Sequence, residues 1–329
     1  MKKETLNRIQ LSQQEPIYDA HSHIGTDLFF KREGALKDYF SLSQILKIKK
    51  ANIMSTPSPK YFEDDKLIEA LFWEENNKKI NYFKKIYEGD EVKIVENPVN
   101  PYKQANKKLK EQIHNEKNQD VNLEYVPLVH PKLDTLDHLE EILINNPVAI
   151  KIHGIAAGII PTEISNNFLK TIAKYDVPVI VHTDNYNKSI TNPLAYFRKN
   201  NNAYDWCNAF RKNNVKGYIT HGAYLCEKTF ELINESNQFL LGIGPVKLMN
   251  LEKEHFIKGT REDSDNYLQT IFDEVDMDKI ALDLDFPWNV EDKMTAKEET
   301  ISKFLVGEDL DEEDRKKVFL KNSELFFNR

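Results

Sequence analysis

The sequence predicts an α/β chain folded as a closed (β/α)8 barrel of the TIM type, and three observations predict it. Short β-branched apolar runs recur eight times along the chain. Segments with apolar residues at helical spacing separate those runs. Histidine, lysine and aspartate stand at the C-terminal ends of runs whose interiors are apolar.

Taken in order, the strands are expected at "PIYDAH" (16–21), "ANIMST" (51–56), "LEYVPLV" (123–129), "VAIKIH" (148–153), "VPVIVHT" (177–183), "VKGYITH" (215–221), "FLLGIG" (239–244) and "KIALDLD" (279–285). Between them, "LDHLEEILI" and "EKTFELINE" repeat apolar residues at helical spacing. Strand alternating with helix implies parallel pairing and right-handed crossovers. Eight such units between residues 16 and 285 suit a barrel, which takes about 250 residues. An open doubly wound sheet is the alternative for this pattern. The end, "LDEEDRKKVFLKNSELFFNR", reads as acidic residues opening a final helix whose apolar stripe docks.

Two segments exceed what a crossover needs. The first, at about 57–122, is charged and dotted with Tyr61, Trp73, Tyr82, Phe83 and Tyr87. It is expected as a helical insertion in a single domain spanning 1–329, and it offers a surface for a homodimer. The second opens at Asn192-Pro193, a cap followed by proline at the first helical position. It carries Tyr196, Phe197, Arg198, Tyr204 and Trp206.

Composition removes several classes of function. With 329 residues, 40 % of them hydrophobic, the chain has ample core. The net charge of −8, with both signs mixed throughout, leaves no basic face for nucleic acid and no polybasic membrane patch. No run approaches the ~18 apolar residues of a membrane span. The start, "MKKETLNRIQLSQQEP", lacks the apolar stretch of a signal peptide. The two cysteines, Cys207 and Cys226, make no CxxC pair, which suits a reducing cytoplasm. "NKS" at Asn187 and "NES" at Asn234 are then chance matches to a glycosylation pattern. "GIGPVK" lacks phosphate-loop spacing, and no GxSxG elbow occurs.

The strand ends carry the chemistry. The first ends in His21 and His23, the fourth in Lys151 and His153, the fifth in His182, the sixth in His221, and the eighth in Asp283 and Asp285. Residues two apart on a strand share a face. In a (β/α)8 barrel these ends converge on one mouth, where active sites lie. Neutral imidazoles and a carboxylate are suitable ligands for zinc or another divalent ion. Such an ion lowers the pKa of water towards ~7, and a neighbouring carboxylate can take the remaining proton.

"DAHSH", "IKIHG", "PVIVHT", "YITHGA" and "LDLDFPW", followed by "FLKNSELFF", resemble the successive signature segments of the amidohydrolase superfamily. They look most like the amidohydrolase-related group that includes aminocarboxymuconate-semialdehyde decarboxylase-like proteins. The resemblance runs from residue 17 to 327. It implies His21, His23 and His182 as metal ligands and Asp285 as ligand and base. Asp283 is the fallback, its other role being to accept a hydrogen bond from a ligand histidine. His221 is implied as a further ligand or as a donor to the developing oxyanion. Lys151 is either carbamylated between two ions or left unmodified to bind substrate, one ion being the preferred count. His153 departs from the commoner KxHP form, with Gly154 in place of proline, and lines the pocket or supports a ligand. His114, His138 and His255 read as solvated, His130 as packed, and Arg261 as a surface residue or a carboxylate clamp.

The function expected is metal-dependent hydrolysis of an amide, ester or lactone in a small molecule. Non-oxidative decarboxylation of an unsaturated or aromatic acid is the alternative. An inactive binding barrel is the third, but it should lack ligands, and none is missing here.

Overall fold

The structure is a computed structural model that describes residues 15–27, 32–57, 60–63, 66–69, 72–74, 79–81, 84–88, 91–95, 100–116, 120–184, 197, 200–244, 267–287 and 310–328. Asn187, Asn192, Pro193, Tyr196, Arg198, His255 and Arg261 lie outside the described residues.

Strand and helix alternate as expected. The barrel strands are β1 (Ile17–Asp27), β2 (Ile48–Ser55), β3 (Asn122–Val126), β4 (Ile150–Ile152), β5 (Val179–Val181), β6 (Gly217–Ile219), β7 (Phe239–Ile243) and β8 (Ile280–Leu282). The helices that follow them are α1 (Leu36–Leu46), α2 (Tyr102–Asn115), α3 (Leu136–Ile144), α4 (Asn166–Lys174), α5 (Ala203–Asn213), α6 (Glu227–Asn234) and α7 (Tyr267–Glu274). A composite α8 comprises Glu312–Lys316, a π-helical turn Lys317–Lys321 and Asn322–Phe327. Side-chain oxygens of Thr135, Ser165, Asn202 and Asp311 cap α3, α4, α5 and α8, satisfying amides that no turn of helix can reach.

Pairing is parallel from β1 through β3 and from β4 through β8. Two seams close the ring. At the first, Leu128 bridges to Lys151, with Val129 N to Lys151 O and Lys151 N to Pro127 O both 2.9 Å. At the second, Asp285 N donates to His21 O at 2.8 Å and His23 N to Phe286 O at 2.7 Å. The last strand thereby meets the first, which brings Asp285 to the HxH segment.

The core has two layers. Between strands and helices lies the larger one, built from the continuous apolar runs that parallel strands covered on both faces require. Inside the barrel, Tyr18, Ala20, Met54, Val126, Ala149, Ile180, Tyr218, Leu240 and Ala281 pack with Phe327 of α8. The Phe327 ring lies 5.9 Å from Tyr18 and 5.5 Å from Tyr218. Asn322 anchors α8, its Nδ2 donating to Met277 O and Ile280 O at 2.8 Å each.

The first insertion corrects an expectation. It is not chiefly helical. Lys60–Glu63, Lys66–Glu69, Lys84–Glu88 and Glu91–Val95 form an antiparallel four-stranded sheet, and Phe72–Glu74 pairs with Lys79–Asn81. Among the described residues of this segment, helix is confined to α2. The cause is seen in "EVKI" of the Glu91–Val95 strand, where charged and apolar residues alternate with period two.

Candidate metal centre

β1 reaches the mouth through a bulge. Asp19 and Ser22 pair with Ala51 and Ile53, so three steps of β1 oppose two of β2. The extra residue changes parity. Tyr18 and Ala20 belong to the barrel interior, and beyond the bulge His21 and His23 point inward as well.

His23 Nδ1 lies 3.0 Å from the Ser55 carbonyl, so that nitrogen carries the proton and donates. Its Nε2 is left with a lone pair, 2.9 Å from His21 Nε2 and 3.7 Å from Asp285 Oδ1. His21 Nδ1 is 3.8 Å from the same oxygen and has no hydrogen-bond partner among the described residues. One ligand atom from each of His21, His23 and Asp285 lies within 4.8 Å of the others. Atoms bonded to one ion at about 2.0–2.1 Å lie at most ~4.2 Å apart, so separations of 2.9 and 3.7 Å fit a shared divalent cation.

The electrostatics agree with that fit. Burial, reinforced by the Lys151 ammonium, holds His21 well below the usual imidazole range and takes His23 and His221 down to about 3. His153 is lowered well below its ordinary value for the same reasons. These rings are therefore neutral near pH 7, the state that ligates metal. Lys151 Nζ sits 2.9 Å from His21 Nε2. Burial brings this lysine down to about 7, opposed by Asp285 and Asp283.

The other predicted residues gather alongside. His221 Nε2 is 2.9 Å from His182 Nδ1, and the His221 ring lies 5.7 Å from that of His21. His182 thus meets His221 rather than joining the His21–His23–Asp285 group. His153 stacks on His182 at 4.2 Å, and its Nδ1 accepts from Ala156 N. Residues His221 to Leu225 all take φ between 50° and 61°. For the four that are not glycine this left-handed turn is strained, a property associated with functional sites. Asp285 also has positive φ, 47°, in the segment that leaves β8 for β1.

Asp283 lies one layer deeper than Asp285, as its parity requires, and is fully buried. Its Oδ2 accepts from Tyr218 Oη at 3.4 Å, and its carboxylate fills space left by Gly242 of β7 and by Gly244 just beyond it. Burial and Asp19 push it up to about 8. Nothing local in the sequence marks this packing, because Tyr218, Gly242 and Asp283 come from three strands. Asp19 and Ser22 also bind at the second seam, and motif reading assigns neither a role.

Of the remaining histidines, His130 is buried against Tyr102 at 5.7 Å, its backbone amide donating to Asp134. His138 is half-buried beside Asp134 and Glu141, and His114 is exposed. Gly154 has a packing reason: a side chain there would run into the buried Asn201 amide. Cys207 is buried, and no helix among the described residues is long and apolar enough to cross a membrane.

No protein-family model matches this chain, and no curated protein matches it. Solved structures do. A probable 2-pyrone-4,6-dicarboxylic acid hydrolase from Acinetobacter baumannii superposes with TM-score 0.55 at 11 % identity, over 95 % of this chain and 99 % of that one. The 5-carboxyvanillate decarboxylase of Sphingomonas paucimobilis gives 0.57 at 7 % identity, over 95 % and 98 %. The D-hydantoinase of Thermus sp. gives 0.57 at 11 % identity, over 94 % of this chain and 70 % of that enzyme. The chain thus has the (β/α)8 fold of the amidohydrolase-type barrels, and the likeness extends over nearly its whole length.

Proposed function

We propose that this chain is a member of the amidohydrolase superfamily, a metal-dependent hydrolase that cleaves an amide, ester or lactone bond of a small molecule. One observation carries the reading: ligand atoms of His21, His23 and Asp285, from opposite ends of the chain, lie within 4.8 Å of one another at the mouth. The nitrogen and carboxylate donors suit zinc, and the reading takes one ion. A divalent cation held there supplies Lewis acidity and a water whose pKa falls towards ~7.

The chain's own groups do the rest. Asp285 is 15 % exposed, so its carboxylate faces the open mouth and serves as the base that takes the proton of attacking water. His221 and His182 share a hydrogen-bonded contact, and His221 donates to the oxyanion that develops on the substrate. His182, the ligand that the sequence assigns to the fifth strand, stands with His221 and not with the three residues that hold the ion, so its role in this reading is to support His221. Lys151, fully buried with its Nζ 2.9 Å from His21 Nε2, and His153 are the groups that hold the substrate's polar atoms, Lys151 without modification. The setting is cytoplasmic, and the organisation is one barrel domain, with room for a homodimer contact.

The likeness to a decarboxylase favours a second reading on the same residues. There, protonation of carbon replaces attack by water. Metal analysis of protein purified without chelator tests both readings, with about one equivalent of zinc or another divalent ion expected. A panel of lactones, amides and unsaturated or aromatic acids then separates them, by acid release or by carbon dioxide release. Protein that holds no divalent ion and regains none on reconstitution would sink both.

A further inference from the structure

The second seam is where the candidate ligands from the two ends of the chain meet. Every backbone amide from Leu284 to Phe286 donates to β1. Asp285 N goes to His21 O at 2.8 Å. The amides on either side go to side chains: Leu284 N to Asp19 Oδ1 at 3.0 Å and Phe286 N to Ser22 Oγ at 3.2 Å. Asp19 is fully buried, and its two oxygens divide the work. Oδ1 takes two amides, Leu284 N from β8 and His21 N from β1, the latter at 3.3 Å. Oδ2 takes two hydroxyls, Ser22 Oγ at 2.5 Å and Tyr39 Oη of α1 at 2.6 Å. The Tyr39 ring in turn packs edge-on against Phe286 at 5.4 Å.

This arrangement has a consequence for Asp285. The residue stands in a left-handed conformation between two amides whose acceptors are Asp19 and the Ser22 hydroxyl that Asp19 orients. The same carboxylate holds the amide of His21. A single buried anion therefore fixes the β1 histidines and the β8 carboxylate to one frame. We propose that Asp19 is a positioning residue: it sets the separation between His21, His23 and Asp285 and so determines cation affinity. The inference rests on the metal-centre reading above. Groups that orient ligands in this way change affinity without touching the ion.

The test uses the full chain, stripped with chelator and titrated with cobalt(II), whose visible absorption reports ligand geometry. Wild type is expected to take up cobalt with a defined band. Asp19→Asn is nearly isosteric and keeps an oxygen for the two amides, so circular dichroism should show a folded chain. Its cobalt affinity should fall about 10- to 100-fold, and the band should shift. Wild-type affinity and band in a folded Asp19→Asn protein, even one with a lowered melting temperature, would mean a purely structural role and overturn the proposal. If Asp19→Asn does not fold, Ser22→Ala decides, since it removes one donor to Asp19 and the acceptor of Phe286 N. The same loss supports the inference, and unchanged binding overturns it. Wild type that binds no cobalt is a separate outcome, which removes the metal reading itself and the inference with it.

Discussion

Replacing Gly242 by alanine sets two effects of opposite sign against each other. Alanine in a strand interior restricts the unfolded chain and stabilises by about 0.5–1 kcal/mol. At Gly242, however, an added methyl would lie within 3.0 Å of Asp283 Oδ2, Tyr218 Oη and Tyr218 Cε1. None of these can retreat freely. Both side chains are fully buried, and the Tyr218 ring already packs on Phe327. Overpacking of this kind costs about 1–3 kcal/mol, and three close contacts put the site at the upper end. The net expectation is a loss of ~2 kcal/mol. Unfolding entropy of about 2.1 cal/mol/K per residue, over 329 residues, gives ~0.7 kcal/mol/K. The melting temperature should therefore drop ~3 °C in scanning calorimetry. Adding Tyr218→Phe removes one obstructing atom and should return part of that loss relative to Tyr218→Phe alone. A Gly242→Ala protein that melts at or above the wild-type temperature would refute the account of the Asp283 cradle.

Three further outcomes are expected. Asp285→Asn should fold as the wild type does while losing turnover and binding divalent cation more weakly; full activity at stoichiometric metal would exclude Asp285 as the base. Burial holds His130 down to about 3, from an ordinary 6.5. Below pH 6.5 the unfolded chain therefore takes up a proton that the native state refuses, and stability falls as pH falls towards 3, by up to about 1.4 kcal/mol per unit. Relative to wild type, His130→Phe should flatten the urea-derived stability curve between pH 7 and 5, and parallel curves would contradict the assignment. Asn202 accepts from Asp205 N at 2.9 Å to cap α5. Asn202→Ala should cost about 1 kcal/mol, seen as a melting temperature ~1.5 °C lower, and no change would show the cap to be redundant.

The sequence by itself determined the order of eight strands, the helices between them and the polar residues at their ends. Those features are local: β-branched runs choose strand, apolar residues at helical spacing choose helix, and a histidine after an apolar run needs no distant partner to be noticed. Spacing also placed His21 with His23, because residues two apart share a face whatever lies opposite. The helical reading of the first insertion failed for the converse reason. Its one clear alternation, "EVKI", is only four residues long among many charges, too short to choose strand without the neighbouring strand it pairs with.

Tertiary structure alone decided how the mouth is assembled. The β1 bulge is a register relation between two strands, so one strand's residues cannot announce it. Asp283 against Tyr218, and Asp19 against Leu284, are contacts between positions 65 and 265 residues apart. Each exists only because parallel strands close into a ring that sets the first beside the last. A chain can specify which groups reach the rim through local pattern, but their mutual distances are fixed by closure, and it is those distances that make a cation site.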